Sequence, residues 1–156
     1  MRQILMSIRP KYSAKIFAGE KHFELRRMRV RASAGDVVWV YESAPTMALV
    51  GAFTVRRVLF ESLRTIWKHH SQVLGVSYEE YVAYFRDRDV GCAIEVDAVA
   101  RFTPISLTDL RQRVEGFRPP QSYQWCDSAL TRALPARTLR GFRSRSASGS
   151  ETFGMQ

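Results

Sequence analysis

The run Val37–Tyr41 constrains the fold more than any other part of this sequence, because all five of its positions hold β-branched or aromatic residues. Such a run is typical of a buried strand. In the stretch 48–55, Gly51 interrupts a second apolar run and indicates a bulge or a tight bend of the sheet. Further short strands are predicted at 4–8, at 22–26 and from residue 91 towards residue 102. The chain is therefore expected to form a sheet of short strands.

Short helices are predicted between these strands. Pro10 suits the first position of a helix, because its missing N–H needs no partner there, and Gly19 marks the end of that helix. Ser77 and Glu80 have the spacing of a capping box at the start of another helix. Because the strands do not alternate with long helices, we expect an α+β domain rather than a doubly wound parallel sheet. Its centre would be a small curled, barrel-like sheet with short flanking helices.

The composition changes near residue 130. Beyond that point Arg, Ser, Ala and Gly dominate, and the stretch 144–150 is of low complexity. Such a segment cannot bury enough apolar surface to offset the loss of chain entropy on folding. We therefore predict one domain over residues 1–129 and a flexible Arg/Ser-rich tail over residues 130–156.

Basic residues are concentrated at the start of the chain. The formal net charge is +9, and residues 1–31 hold nine Lys and Arg against two Glu. This distribution is expected when one face of a protein meets a polyanion such as nucleic acid. The alternative is a charge that serves only solubility.

Some classes of protein are excluded by what the sequence lacks. No apolar run approaches the ~18 residues that span a bilayer, and the first residues lack the cleavage site of a secretory signal. Cys92 and Cys126 are too few for a disulfide framework or a four-ligand zinc site. The side chains of His69 and His70 would point ~100° apart on a helix. We therefore expect a reduced cytoplasmic protein with no membrane contact, no metal and no cofactor.

The densest polar cluster follows the end of the first predicted helix. On an extended chain Phe23 and Leu25 point to the core, while Glu24 and Arg26 share the opposite face. A carboxylate flanked by Lys21 and Arg26 would be ionised and would orient both cations. That arrangement suits the binding of a phosphate and of the edge of a base. A structural ion-pair network on an exposed strand accounts equally well for the same spacing.

The same residues carry a resemblance to a known family. Gly19, Lys21, Glu24 and Arg26 match the pattern G-x-K-x-x-E-x-R, which is the signature of the ASCH domain. The order of the surrounding elements is also similar, and the resemblance covers roughly residues 1–125. The ASCH domain has a PUA-like fold related to RNA-binding PUA modules. The resemblance therefore implies a small PUA-like β-barrel.

The resemblance also implies a function. Members of the ASCH family are described as RNA-binding or coactivator-like modules, with the motif residues in a cleft beside the barrel. We therefore expect a nucleic-acid-binding module whose partner is RNA or a nucleotide. One alternative is a hydrolase in the same cleft, because some bacterial members resemble amidohydrolases of N4-acetylcytidine and others are ascribed ribonuclease activity. Another alternative is a protein-interaction regulator.

The binding surface is expected to combine cations, hydrogen-bonding groups and aromatic rings. The cations of the motif would hold phosphate or the edge of a base, and Glu24 would orient them or accept from an exocyclic amine. Tyr41 and Tyr123 are candidates for stacking on bases. The residues predicted to bind nucleic acid are Lys11, Lys15, Lys21, Glu24, Arg26, Arg27, Arg29, Tyr41, Ser43, Arg118, Gln121 and Tyr123.

One position of the motif bears on the enzyme alternative. In the amidohydrolase-like members a Thr nucleophile stands three residues after the motif lysine, and here that position holds Glu24. Lys21 and Glu24 are then the local candidates for catalysis, as a base and a carboxylate. The missing hydroxyl favours a binding protein over an enzyme.

We predict that the purified protein releases no acetate from N4-acetylcytidine above the background rate. The reason is that no hydroxyl occupies the position from which the amide would be attacked. Chromatography of the nucleoside after incubation measures the reaction. Turnover that the substitution Lys21→Ala abolishes would contradict this prediction.

Overall fold

The computed structural model describes residues 1–144, which form a single sheet with helices on its edges and faces. The strands are β1 (Gln3–Ile8), β2 (Phe23–Arg26), β3 (Val37–Glu42), β4 (Ala48–Ser62), β5 (Val90–Ser106), β6 (Tyr123–Trp125) and β7 (Arg143–Ser144). The helices are α1 (Pro10–Phe17), α2 (Leu63–His70), α3 (Tyr78–Tyr84), α4 (Leu107–Arg113) and α5 (Ser128–Ala133), with 3-10 turns at Ser71–Val73 and Ala136–Arg140. No helix within residues 1–144 is both long and apolar enough to cross a membrane.

The strand order shows how distant segments meet. It is β2-β5-β4-β3-β1-β6, with β7 paired to β5. β1 and β3 run parallel, and the remaining pairs are antiparallel. A parallel pair needs a crossover connection, and α1 and β2 lie within that connection. The α+β class predicted from the sequence is confirmed.

The sheet curls where β4 and β5 lose register. Their pairing shifts at three places between Leu49 and Arg57, and such bulges bend a strand and increase its twist. A Cβ atom on Gly51 would lie 2.6 Å from the Ala100 carbonyl oxygen and 2.6 Å from the Phe17 ring. Glycine at this position therefore lets β5 and α1 approach β4 closely, and the register shift between Leu49 and Gly51 agrees with the predicted bulge. The predicted curled sheet is confirmed.

Alternate side chains of the strands enter separate cores. In β1, Ile4 and Met6 pack on the face that α1 covers, while Leu5 packs on the face that α4 and α5 cover. A third core joins β2 to α2 and α3, and it contains Phe23 and Leu25. The predicted inward orientation of these two residues is confirmed. The opposite face of β2 is therefore free to line a cleft.

Residues 130–144 differ from the expected flexible tail. Asp127 caps α5 by accepting from the Leu130 N–H at 2.8 Å, and the Ala136–Arg140 turn follows. Leu130 and Leu134 are buried in the core beneath α4. These two leucines have helical i, i+4 spacing, and composition alone hid that signal among the Arg and Ser residues. The predicted boundary at residue 129 thus falls inside a helix, and the rest of the predicted tail, 145–156, lies outside the described residues.

We predict that Leu130→Ala lowers the free energy of unfolding by about 2–5 kcal/mol, because it leaves a cavity in this core. Urea unfolding followed by tryptophan fluorescence measures the change. The matched control is Arg132→Ala on the exposed side of the same helix, for which a change within about 0.5 kcal/mol is expected. Equal stability of Leu130→Ala and the wild type would show that this segment does not contribute to the fold.

Candidate functional site

The outer face of β2 lines a cleft of about 730 Å³. Its walls come from β1, α1, α3 and the loop that precedes β6, so four separate parts of the chain meet there. The sequence motif contributes Lys21, Glu24, Arg26 and Arg27. The predicted motif residues are therefore brought together in one concave site.

Lys21 lies at the bottom of the cleft. Only 3% of its surface is exposed, and its Nζ donates to the Leu74 carbonyl oxygen at 2.6 Å. The same Nζ lies 5.4 Å from the centre of the Tyr12 ring. Burial lowers the pKa of the Lys21 ammonium, although the nearby Glu24 carboxylate acts in the opposite direction.

The space around Lys21 depends on a loop that is distant in sequence. Gly75 has a φ of +70°, and a Cβ there would lie 2.6 Å from Lys21 Cβ. A side chain at this position would therefore be strained and would also collide with the lysine stem. Lys15 supports the same loop, because its Nζ donates to the Gly75 carbonyl oxygen at 3.1 Å. Lys15 thus holds the loop and is not part of the cleft wall.

Glu24 and Arg26 form an ion pair in the cleft. Arg26 Nη2 lies 3.3 Å from Glu24 Oε1, and the two side chains are 11% and 8% exposed. Among residues 1–144, the other carboxylate oxygen, Glu24 Oε2, has no hydrogen-bond partner, and neither has Arg26 Nε. A buried carboxylate oxygen without a donor is costly for the free protein. A group that enters the cleft beside Glu24 could supply the missing donor.

Arg26 also connects three segments of the chain. Its Nη2 donates to the Ser7 carbonyl oxygen at 2.8 Å, and its Nη1 donates to Ser122 Oγ at 3.2 Å. Ser7 Oγ in turn donates to the Pro120 carbonyl oxygen at 2.6 Å. The expectation that Arg26 holds phosphate stays a prediction. Its guanidinium fixes the loop against β1 and orients Glu24.

A second polar group forms the wall at α1 and α3. The Tyr12 hydroxyl donates to Glu80 Oε2 at 2.5 Å, and Lys11 Nζ donates to the same oxygen at 3.2 Å. Hydrogen bonds from the Tyr12 hydroxyl, the Ser77 N–H and the Lys11 ammonium lower the pKa of Glu80 to about 2. Burial, together with the bond to Glu80, raises the pKa of Tyr12 to about 12. The predicted capping box of Ser77 and Glu80 is confirmed, and its carboxylate also fixes the Tyr12 ring.

The rim carries exposed cations and polar groups. Arg9 and Arg27 are exposed there, and Arg27 donates to the Arg86 carbonyl oxygen at 3.1 Å. Ser43, Gln121 and Tyr123 line the cleft, and their role in binding nucleic acid stays a prediction. The lining residues that the sequence did not predict include Arg9, Tyr12 and Tyr84.

Physical reasons explain why those three lining residues were missed. Tyr12 has the spacing of a core residue of α1, and Tyr84 lies at the end of α3, where its hydroxyl donates to the Leu25 carbonyl oxygen at 3.0 Å. Arg9 precedes Pro10, and its proximity to Glu24 requires the crossover between β1 and β2. Only the tertiary fold brings these residues to one cleft.

Other predicted residues lie elsewhere. Tyr41 is 2% exposed in the core that α4 covers, because β3 is a central strand with both faces packed. Its predicted role in base stacking is therefore wrong. Arg29 lies over the Phe60 ring at 5.6 Å, and Arg118 is exposed outside the cleft.

The structure holds no obvious metal centre in the part of the chain that it describes. No group of three or more His, Cys, Asp or Glu residues suited to a metal ion is found there. His70 instead packs on Phe23, with ring centres 4.6 Å apart, and burial lowers its pKa. Cys92 is buried in the core beneath α1.

Comparisons with known proteins agree with the geometry. The family model of the ASCH domain matches residues 6–105. The ASCH domain-containing ribonuclease of Zymomonas mobilis is 23% identical over 137 residues, which cover 88% of this chain and 93% of that protein. The crystal structure of ASCH from Zymomonas mobilis has a TM-score of 0.81 at 22% identity, covering 92% of this chain and 97% of that chain. A hypothetical protein from Leishmania major has a TM-score of 0.53 at 20% identity, covering 96% and 98% of the two chains.

We predict that the buried Lys21 makes stability rise with pH relative to a Lys21→Met variant. The pKa of Lys21 lies below 10.5 in the folded protein, so the unfolded chain binds more protons between the two values. The cost of burying the ammonium is then lost as the pH rises through this window, by about 1.4 kcal/mol for each unit by which the pKa is lowered. Urea unfolding of both proteins from pH 7 to pH 10.5 gives the difference. A difference that stays constant with pH would contradict the prediction.

Proposed function

This chain belongs to the ASCH domain family, and on that premise we propose that its cleft binds single-stranded RNA with one unpaired base inside. The observation that carries the proposal is Glu24 Oε2, a buried carboxylate oxygen with no donor among the described residues. Proteins that read RNA sequence mostly bind unstacked bases through hydrogen bonds to their edges. A carboxylate oxygen accepts from an exocyclic amine, such as that of cytosine or adenine.

The size and lining of the cleft support a base as the ligand. Its volume of about 730 Å³ lies in the range of small-molecule pockets, and Glu24 is among the residues that line it. The Tyr12 ring is held by Glu80, and the Tyr84 and Tyr123 rings line other parts of the cleft. Aromatic rings held in place in this way suit stacking against a base.

The charge of the rim supports a polyanion as the source of that base. Arg9 and Arg27 are exposed at the rim of the cleft. Lys11 lies beside it and is paired with Glu80. In this proposal Arg9 and Arg27 contact the phosphates on either side of the bound base, and the remaining basic residues of the N-terminal segment add attraction that does not depend on sequence.

RNA cleavage is the second candidate function. A relative of this chain, from Zymomonas mobilis, bears the name ribonuclease. In this chain the lowered pKa of Lys21 favours an amine able to accept a proton from a 2′-hydroxyl. The amine is engaged with the Leu74 carbonyl oxygen, so it would have to leave that bond to act. We therefore place binding first and cleavage second.

We predict that substitutions at the rim and at the buried carboxylate change the binding of a labelled eight-nucleotide RNA in different ways. Arg9→Gln and Arg27→Gln should each weaken binding and reduce the log–log salt slope by about 0.7, because each removes one phosphate contact to a single strand. Glu24→Gln should leave the slope unchanged and reduce the preference for cytosine and adenine over uracil about tenfold. Fluorescence anisotropy at several salt concentrations measures both quantities.

Arg111→Gln and Arg113→Gln serve as matched controls, because both residues are exposed on α4, away from the cleft. Equal losses at the rim and at these controls would mean diffuse attraction and would refute the cleft as the binding site. Denaturing gels of the same mixtures separate binding from cleavage. Intact RNA supports binding alone, whereas cleavage that Lys21→Met abolishes and the α4 variants retain establishes hydrolysis.

A further inference from the structure

A second concavity lies on the other side of α3, between that helix and α2. We call it the α2–α3 groove and define it by Arg64, Trp67, Lys68, Tyr78, Val82 and Arg88, and its volume is about 1260 Å³. None of these six residues belongs to the cleft described above.

The groove exposes aromatic surface that the fold does not need. Tyr78 is the first residue of α3 and is 57% exposed, and Val82 one turn later is 50% exposed. The Tyr78 and Trp67 rings lie 5.2 Å apart at 63°, and Trp67 packs in turn on Tyr81 at 5.0 Å. Trp67 therefore supports Tyr78 from beneath, and the exposed ring is available to a stacking partner.

The charges around these rings are mainly positive. Four cations line the groove, namely Arg64, Lys68, Arg86 and Arg88. Two carboxylates, those of Glu79 and Asp87, accompany them. Exposed rings between cations are the features with which proteins hold single-stranded nucleic acid, since bases stack on the rings and phosphates pair with the cations.

The groove also adjoins the cleft across α3. Both are lined by Tyr81 and Ala83 of α3. The Arg27 guanidinium on the rim of the cleft donates to the carbonyl oxygen of Arg86, which lines the groove. The rim of the cleft and the groove therefore meet where Arg27 contacts Arg86.

We propose that the α2–α3 groove binds the RNA nucleotides next to the base held in the cleft, with one base stacked on Tyr78 and phosphates beside Arg64 and Lys68. The inference rests on the proposed function and specifies its ligand. The ligand is a single strand several nucleotides long, and a free nucleotide fills only the cleft. An acidic peptide is the competing occupant, and the exposed Tyr78 ring among cations, next to the cleft, favours RNA.

The test compares a dinucleotide with an unstructured eight-nucleotide RNA, both labelled, by fluorescence anisotropy on the full chain. The longer RNA should bind at least tenfold more tightly than the dinucleotide. Tyr78→Ala should remove about tenfold of the affinity for the longer RNA and leave the dinucleotide unchanged, whereas Tyr78→Phe should retain both affinities. The double variant Arg64→Gln/Lys68→Gln should reduce the salt slope for the longer RNA by about 1.4, and Arg111→Gln/Arg113→Gln is its matched control.

The outcomes separate this inference from the proposed function. Suppose that dinucleotide binding depends on Glu24 and that the longer RNA binds no more tightly than the dinucleotide. That result would overturn the proposal for the groove and leave the proposal for the cleft standing. Tyr78→Ala and the double variant both behaving as the wild type would also overturn it and would leave the groove to a protein partner. Binding of neither RNA would refute the proposed function and the groove together. If Tyr78→Ala fails to fold, the double variant on exposed α2 positions still decides the question.

Discussion

The ion pair of Glu24 and Arg26 is the interaction on which the cleft depends. Two opposite charges are buried beside each other, and the arginine is further held by the Ser7 carbonyl oxygen and by Ser122. Removing one partner of such a pair generally costs about 3–5 kcal/mol, because the other charge is left buried and unpaired. The pair therefore fixes the strand that carries the motif, the first strand and the closing loop relative to one another. The unbound oxygen of Glu24 owes its orientation to this arrangement.

The charged residues of the motif differ in how far their polar atoms are already paired within the protein. Arg26 supports, since both of its terminal nitrogens donate to the protein's own oxygens. The two oxygens of Glu24 differ, since Oε1 pairs with Arg26 and Oε2 has no donor among residues 1–144. Lys21 is buried at the bottom of the cleft, and its ammonium is hydrogen-bonded to the Leu74 carbonyl oxygen. The sequence pattern suggests a cluster of ligand-binding charges. In the structure the two cations of the motif are hydrogen-bonded to the protein's own oxygens, and Arg26 holds the Glu24 carboxylate in place.

Local patterns in the sequence predicted the local parts of the structure. The alternation around Phe23 and Leu25, the capping box at Ser77 and the bend at Gly51 each depend on neighbouring residues and were all confirmed. The errors arose where long-range packing decides. Tyr41 adjoins a polar loop in sequence, yet the sheet places it in a central strand covered on both faces.

Long-range contacts also explain what was missed in the candidate site. The role of Arg26 as a clamp requires Ser7 and Ser122, which only the pairing of β1 with β6 brings near. Leu130 and Leu134 pack on elements formed much earlier in the chain, and a composition dominated by Arg and Ser concealed them. Periodicity within a few residues was therefore a better guide to this protein than the average character of a segment.

The close contact between Gly75 and Lys21 has a consequence for the variation of this protein among its relatives. A Cβ at residue 75 would meet the stem of the lysine, so the two positions restrict each other although they are far apart in sequence. A relative with a smaller residue in place of Lys21 loses the steric part of this restriction, while the positive φ still disfavours other residues at position 75. Only the steric part of the restriction on residue 75 therefore depends on Lys21, and the positive φ alone is enough to favour glycine there.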